Sequence, residues 1–207
     1  MIRNIIFDVG NVLFKYDPSY IISSLLPKTS KKDFYLNELF LSDLWQKLDR
    51  GDLTENNVVS ILKKEFKLQS KDETEIRTLI NEFPDYLIPN DQTIQIFKTL
   101  SKKYNIYILS NFQTKPFQRL HKNYDFFNIS KGIILSNDIM MKKPELGIYD
   151  YLVTKYRLQP NECLFIDDLD ENITSAKRIL LNGIVYKSSD QLKKELNKYS
   201  INLKWTN

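Results

Sequence analysis

The residues of this chain best suited to chemistry are short polar side chains that directly follow apolar runs. Asp8 closes Ile5-Ile6-Phe7, Ser110-Asn111 closes Tyr107-Ile108-Leu109, and Asp167-Asp168 closes Leu164-Phe165-Ile166. Carboxylates ligate hard cations or attack electrophiles, and hydroxyl and amide groups hold anions. Lys143 adds a positive charge, and because it precedes Pro144 it is biased toward extended backbone, so its side chain can project from a fixed loop. Taken singly, each has an ordinary explanation. Asp8 can be a turn carboxylate capping local N–H groups, Ser110-Asn111 a turn or helix cap, and Lys143 a solvated lysine; the joint placement carries the information.

That placement depends on the elements. Ile5 to Phe7, Ile106 to Leu109, Ile133 to Leu135, Leu164 to Ile166 and Ile184 to Tyr186 are continuous apolar runs, as strands covered on both faces require. From Ser110 onward they alternate with helical patterns, which predicts an α/β fold, a Rossmann-like doubly wound parallel sheet. Open sheets of this kind bind ligands at the carboxyl ends of their strands, where the polar residues fall. One connection is too long for a single crossover, the stretch from Leu13 to Ile106. Leu36, Phe40, Leu44, Trp45 and Leu48 share a helical face; Thr54 can cap a helix carrying Val58, Ile61 and Leu62; Ser70 to Glu73 offers a capping box before Ile76, Leu79 and Ile80. Pro84 stops that pattern and Pro89-Asn90-Asp91 opens another helix. Residues 15–85 are therefore read as an inserted α-helical cap domain, and residues 1–14 and 86–207 as the core.

With these positions in place, the chain resembles the haloacid dehalogenase superfamily of hydrolases, through most of its length and in the family's order. Asp8-Val9-Gly10-Asn11-Val12 is similar to the first motif and Leu109-Ser110-Asn111 to the second. Lys142-Lys143-Pro144-Glu145 through Ile148-Tyr149 is similar to the third, and Phe165-Ile166-Asp167-Asp168 through Asn172 to the fourth. The resemblance implies a Mg2+-dependent phosphomonoesterase acting on a small phosphorylated metabolite. Asp8 would be the nucleophile that forms an aspartyl phosphate, with Ser110, Asn111 and Lys143 receiving the phosphoryl oxygens. Magnesium favours oxygen ligands, so Asp8, Asp168 and the Gly10 carbonyl are the expected ligands, with Asp167 in an outer or water-mediated position. Asn172 would orient a ligand or Lys143, and Asp170 and Glu171 are read as charges suited to a helix N-terminus. Trp45, Arg50 and Gly51 are the cap residues that the resemblance offers for substrate selection.

Gly10 departs from the usual pattern. Most phosphatases of the superfamily carry there a second aspartate that protonates the leaving oxygen. Glycine keeps the carbonyl for the metal and removes the proton carrier, although a branch that includes sugar-1-phosphate hydrolases has the same glycine. Asp17 is read as a surface or cap-hinge residue rather than a substitute acid, and His121, spaced with Phe117 and Tyr124, as a packing residue. Two alternatives stay open: a catalytically impaired regulatory or interaction module, and a metal-independent 2-haloacid dehalogenase, in which Asp167-Asp168 would have no purpose.

Composition limits the remaining classes. Thirty Lys and Arg against 26 Asp and Glu give a net charge of +4, but the charges are interspersed, which disfavours nucleic-acid binding. The single cysteine, Cys163, sits in an apolar run, excludes an intramolecular disulfide, and reads as a small buried hydrophobe. Neither a leader nor a long apolar span is legible, so a cytoplasmic protein without membrane contact is expected. Whether it is a monomer or a homodimer is not decidable from sequence.

Overall fold

The computed structural model describes residues 1–201. Its elements, in chain order, begin with β1 (Asn4–Phe7), β2 (Phe14–Lys15), α1 (Pro18–Leu25), α2 (Lys32–Tyr35), α3 (Asp43–Arg50), α4 (Glu55–Phe66) and α5 (Ser70–Glu82). There follow β3 (Ile88–Pro89), α6 (Asp91–Leu100), β4 (Asn105–Ser110), α7 (Thr114–Asn123), β5 (Gly132–Leu135), α8 (Ser136–Ile139) and α9 (Leu146–Lys155). The chain continues through β6 (Cys163–Asp167), α10 (Asp170–Lys177), β7 (Asn182–Val185) and α11 (Ser189–Lys198).

Five strands form one sheet in the order β5-β4-β1-β6-β7, with every pairing parallel. Alternation of side chains across each strand divides the core in two. Ile5, Phe7, Ile108 and Ile166 pack on one face with Phe97 and Leu192, while Ile6, Leu109 and Phe165 pack on the other with Ile148, Leu152 and Ile173. Burying an aliphatic or aromatic side chain of this size stabilises by about 1.5–3 kcal/mol, so both layers of helices are held by the sheet. This is the doubly wound architecture expected from the continuous apolar runs.

The stretch between β1 and β4 is mainly helical, with local departures from the sequence expectation. Leu36 to Leu48 is not one helix: Leu36–Phe40 forms a π-helical turn and the chain breaks at Ser42. The cause is the Ser42 hydroxyl, which donates to the carbonyls of Glu38 and Leu39 and accepts from Leu44 N–H, ending one turn and capping α3. Thr54 caps α4 as expected, whereas the box before α5 lies one residue earlier and joins Gln69 to Asp72. A short antiparallel pair unseen in the sequence, Phe14 with Pro89 and Lys15 with Ile88, closes the base of this helical stretch. Its aromatic residues join the core on the Phe7 face: Trp45 packs on Phe83 at 5.2 Å between ring centroids, and Phe83 on Phe112 at 5.4 Å.

Candidate active site

The sheet register brings the polar strand ends together. Phe7 pairs with Ile166, so Asp8 emerges beside Asp167, and Asp8 N–H donates to the Ile166 carbonyl at 3.0 Å. Lys143 arrives from the loop before α9, through a cis peptide to Pro144. Its Nζ lies 2.6 Å from Asp167 Oδ2 and 2.7 Å from Asp8 Oδ1, the latter an ion pair too oblique for a directed hydrogen bond. All three are withdrawn from solvent, at 7% exposure for Asp8, 3% for Lys143 and 0% for Asp167. Burial pushes the Asp8 carboxyl up to about 7 against the attraction of Lys143, and the charge of Asp167 adds to the rise. Burial works against the Lys143 ammonium too, but Asp167 and Asp8 together hold it charged beyond the usual lysine range.

Asp167 is fully occupied by the protein. Its Oδ1 accepts from Asn172 Nδ2 at 2.8 Å and from Leu169 N–H at 2.9 Å, while Oδ2 meets Lys143. Asp168 is freer: Asn11 Nδ2 donates to its Oδ2 at 3.1 Å, and burial raises its carboxyl. Asp8, Asp167 and Asp168 each present an oxygen within 4.8 Å of the others. Such a cluster of hard oxygen donors suits a small divalent cation, with Asp8 and Asp168 the carboxylates left to meet it directly. The buried Oδ1 of Asn172, without a hydrogen-bond partner among the described residues, fits the same reading, because buried polar atoms are rarely left orphaned.

Asp8 and Lys143 open into a cavity of about 170 Å³ that Gly10, Ser110, Asn111 and Asn172 also line. Its far wall is aromatic: Tyr16, Trp45 and Phe83 come from the helical stretch and its connections and Phe112 from the loop after β4, with Asp49 among them. The helix α3 is fixed over the strand ends by side chains of the core. Ser136 Oγ donates to the Asp49 carbonyl, Asn137 Nδ2 to the Leu48 carbonyl at 2.8 Å, and Lys142 Nζ to Gln46 Oε1 at 2.6 Å. A larger open groove of about 860 Å³ lies beside α3 near Gly51 and Met140, and none of Asp8, Lys143, Asp167 or Asp168 lines it.

The candidates read from sequence divide accordingly. Asp8, Ser110, Lys143, Asp167, Asp168 and Asn172 cluster at the strand ends, and Gly10 and Trp45 line the cavity. The side chain of Asn111 is committed elsewhere: it accepts from Lys143 N–H at 2.8 Å and donates to the Lys143 carbonyl at 2.9 Å, clamping the lysine's peptide. Arg50 is directed to Glu145 at 2.8 Å and Asp52 at 2.7 Å, and Gly51 caps α3 in a left-handed conformation, φ 89°; neither lines the cavity. Asp17 caps α1 by accepting from Tyr20 N–H at 3.1 Å, a bond that lowers its carboxyl and suits no proton donor. His121 contacts Asn128 and packs near Phe117 and Phe127, and Cys163 is buried, with its thiol pushed up to about 11 by that burial. Sequence reasoning gives no role to Asn11, Tyr16 or Asp49. For Asp49 a signal existed, since four residues after Trp45 it shares that residue's helical face.

The family model of the haloacid dehalogenase-like hydrolases matches residues 2–179. Among individual proteins, the drimenol cyclase drtB of Aspergillus calidoustus is 26% identical over 95% of this chain, which spans only 36% of that relative's length. The sesquiterpene phosphatase astK of Aspergillus oryzae is 24% identical over 86% of this chain and 87% of its own. A D-ribitol-5-phosphate phosphatase of Bacteroides thetaiotaomicron is 25% identical over 86% of this chain and 89% of its own. In three dimensions, an enzyme of the same family from Bacteroides thetaiotaomicron, crystallised with magnesium and inorganic phosphate, superposes with a TM-score of 0.73. It is 21% identical and covers 91% of this chain and 96% of its own. No helix among the described residues is long and apolar enough to cross a membrane.

Proposed function

This chain belongs to the haloacid dehalogenase-like hydrolases, and we propose that it is a magnesium-dependent phosphomonoesterase that forms an aspartyl phosphate on Asp8. One observation carries the reading: Asp8 is held by Lys143 at the mouth of a cavity, with Asp168 beside it as a further oxygen donor and Asp167 behind them. In the first step a carboxylate oxygen of Asp8 attacks phosphorus and the bond to the alcohol oxygen breaks. In the second, water attacks the same phosphorus, phosphate departs and the carboxylate is restored. Lys143 suppresses repulsion between Asp8 and the anionic substrate, while the Ser110 hydroxyl and the Asn111 backbone amide receive phosphoryl oxygens. Asp8, Asp168 and the Gly10 carbonyl would hold Mg2+, which when bound neutralises charge developing on the phosphoryl group. Asp167 stays outside that shell because both its oxygens are spoken for.

The core would comprise residues 1–14 and 86–207 and the substrate-selecting cap residues 15–85, in a cytoplasmic protein. The aromatic wall formed by Tyr16, Trp45, Phe83 and Phe112 supports an ester whose alcohol part is small and mainly apolar, because most of a polyol's hydroxyls would meet ring surface there. Turnover of benzyl phosphate and of a polyol phosphate, with excess Mg2+ and after chelation, tests these points. Chelator-sensitive hydrolysis favouring the benzyl ester is expected. Chelator-resistant release of halide from a 2-haloacid would replace this reading by the dehalogenase, and inertness toward every ester would leave the regulatory module.

A further inference from the structure

The proposed reaction lacks a proton carrier at Gly10, and the cavity contains another carboxylic acid. Asp49 stands in the last turn of α3, on the face of Trp45, and lines the same cavity as Asp8, Gly10 and Lys143. Gln113 Nε2 donates to its Oδ1 at 3.2 Å, and Ser136 Oγ holds its backbone carbonyl. Tyr16 lines the same cavity, and its buried hydroxyl has no hydrogen-bond partner among the described residues. Buried donors are rarely left without an acceptor, so this hydroxyl is available to an oxygen brought in by a ligand. The backbone at Gly10 has room for a side chain to begin, since a Cβ added there meets no atom of the described residues within 4 Å.

We propose, resting on the phosphatase reading, that Asp49 is the catalytic acid and base of this enzyme and that the Tyr16 hydroxyl holds the oxygen of the leaving alcohol. As Asp8 attacks, the breaking P–O bond leaves its electron pair on the alcohol oxygen, and the proton of the Asp49 carboxyl moves to that oxygen to give the free alcohol. The Asp49 carboxylate then takes a proton from the water that attacks the phosphoenzyme, phosphate leaves, and both aspartates return to their starting states. The cap thus supplies what the first motif omits. The protonation state agrees: withdrawal from bulk water pushes the Asp49 carboxyl up to about 8, only partly opposed by Gln113 and Lys142, so that it carries a proton at neutral pH. The titratable groups around it are Tyr16, Lys142 and its neighbour Arg50, with Asp8 and Lys143 across the cavity.

The test compares Asp49→Asn, which keeps an acceptor for Gln113, with Gly10→Asp and the double variant, using p-nitrophenyl phosphate and benzyl phosphate at saturating Mg2+. Asp49→Asn should lower kcat on the benzyl ester by about 10² to 10⁴-fold and remove the alkaline limb of the pH profile. With p-nitrophenyl phosphate, whose leaving group needs no proton, the same variant should show a rapid burst of nitrophenolate followed by slow turnover. Adding Gly10→Asp should restore benzyl phosphate hydrolysis. Wild-type kcat in Asp49→Asn overturns the proposal, as does loss of the burst together with turnover and no rescue by Gly10→Asp, which would assign Asp49 to holding α3. A wild-type protein inert toward both esters would instead defeat the underlying phosphatase reading.

Discussion

Asp8 and Lys143 on the floor of the cavity, with Asp167 buried behind them, are charges fixed from several directions at once, whereas Trp45 and Asp49 on its wall ride on one short helix tethered by side chains of the core. On the floor, sheet register places two of the three and ion pairing holds the third. On the wall, position depends on Ser136, Asn137 and Lys142 reaching α3 across long sequence separations. The floor therefore suits a task common to every substrate, and the wall one that varies with the ester. Asn11 links them, donating to Asp168 while accepting from Tyr16 N–H at 3.1 Å.

The most severe way to probe the difference is on the floor. Asp8→Asn removes the attacking carboxylate while Asp167 still neutralises Lys143, so kcat should fall by about 10⁴-fold or more with little unfolding. Trapped phosphoenzyme should vanish from the variant in a rapid acid quench. Lys143→Met attacks the floor's stability. It leaves Asp8 and Asp167 as adjacent buried carboxylates without a counter-charge, and a loss of about 3–5 kcal/mol in denaturant unfolding is expected. By contrast Arg50→Ala, at the outer end of α3, should leave the melting temperature close to wild type, because its pairs with Glu145 and Asp52 are solvent-screened. Equal losses from Lys143→Met and Arg50→Ala would erase the distinction.

The sign of a pH effect sharpens the view of the wall. Asp49 titrates near 3.8 when unfolded and is pushed up to about 8 by burial in the native state. Below the lower value both states are protonated and the residue is neutral to stability. Between the two, the unfolded chain has released a proton that the native state retains, so stability falls as pH rises, and above the upper value the deficit is constant. Asp49→Asn should therefore match wild type near pH 4 and become progressively the more stable protein up to about pH 8. Each tenfold change in proton affinity corresponds to about 1.4 kcal/mol, so urea midpoints across that range resolve the gap. A pH-independent difference would mean that the wall is open to bulk water.

The same contrast explains what was legible in the sequence. Asp8, Ser110 and Asp167 were placed by apolar runs that ended where the strands end, and strand ends converge by hydrogen-bond register alone. Lys143 needed only a fixed loop after a helical crossover. Asp49 and the redirected Arg50 depend on where α3 docks, which rests on single bonds from Ser136 and Asn137 that leave no periodicity in the chain, and Tyr16 is placed by a backbone bond to Asn11 that is equally invisible. The break at Ser42 was hidden for a similar reason, since apolar spacing continues through it while a hydroxyl bond ends the turn.

The finest comparison is between two glycines. Gly51, on the wall's helix, holds φ at 89°, and a Cβ there would stand 2.8 Å from the backbone oxygen of Asn137. Gly51→Ala should cost about 1–3 kcal/mol, because neither the left-handed backbone nor the opposing main chain can yield cheaply. Gly10, on the floor, has no such constraint: its φ is not positive and a Cβ meets nothing within 4 Å. Gly10→Ala should then be neutral or stabilising by up to about 1 kcal/mol, since it only narrows the unfolded ensemble. Both variants are read by the same urea titration, and a large loss from Gly10→Ala would show that the backbone demands glycine there. If the loss is confined to Gly51, the fold tolerates a side chain at position 10, and the missing carboxylate is a matter of chemistry. A site whose floor has room for a Cβ at position 10 and lacks the usual acid must either manage without a proton donor or take one from the wall, where Asp49 stands.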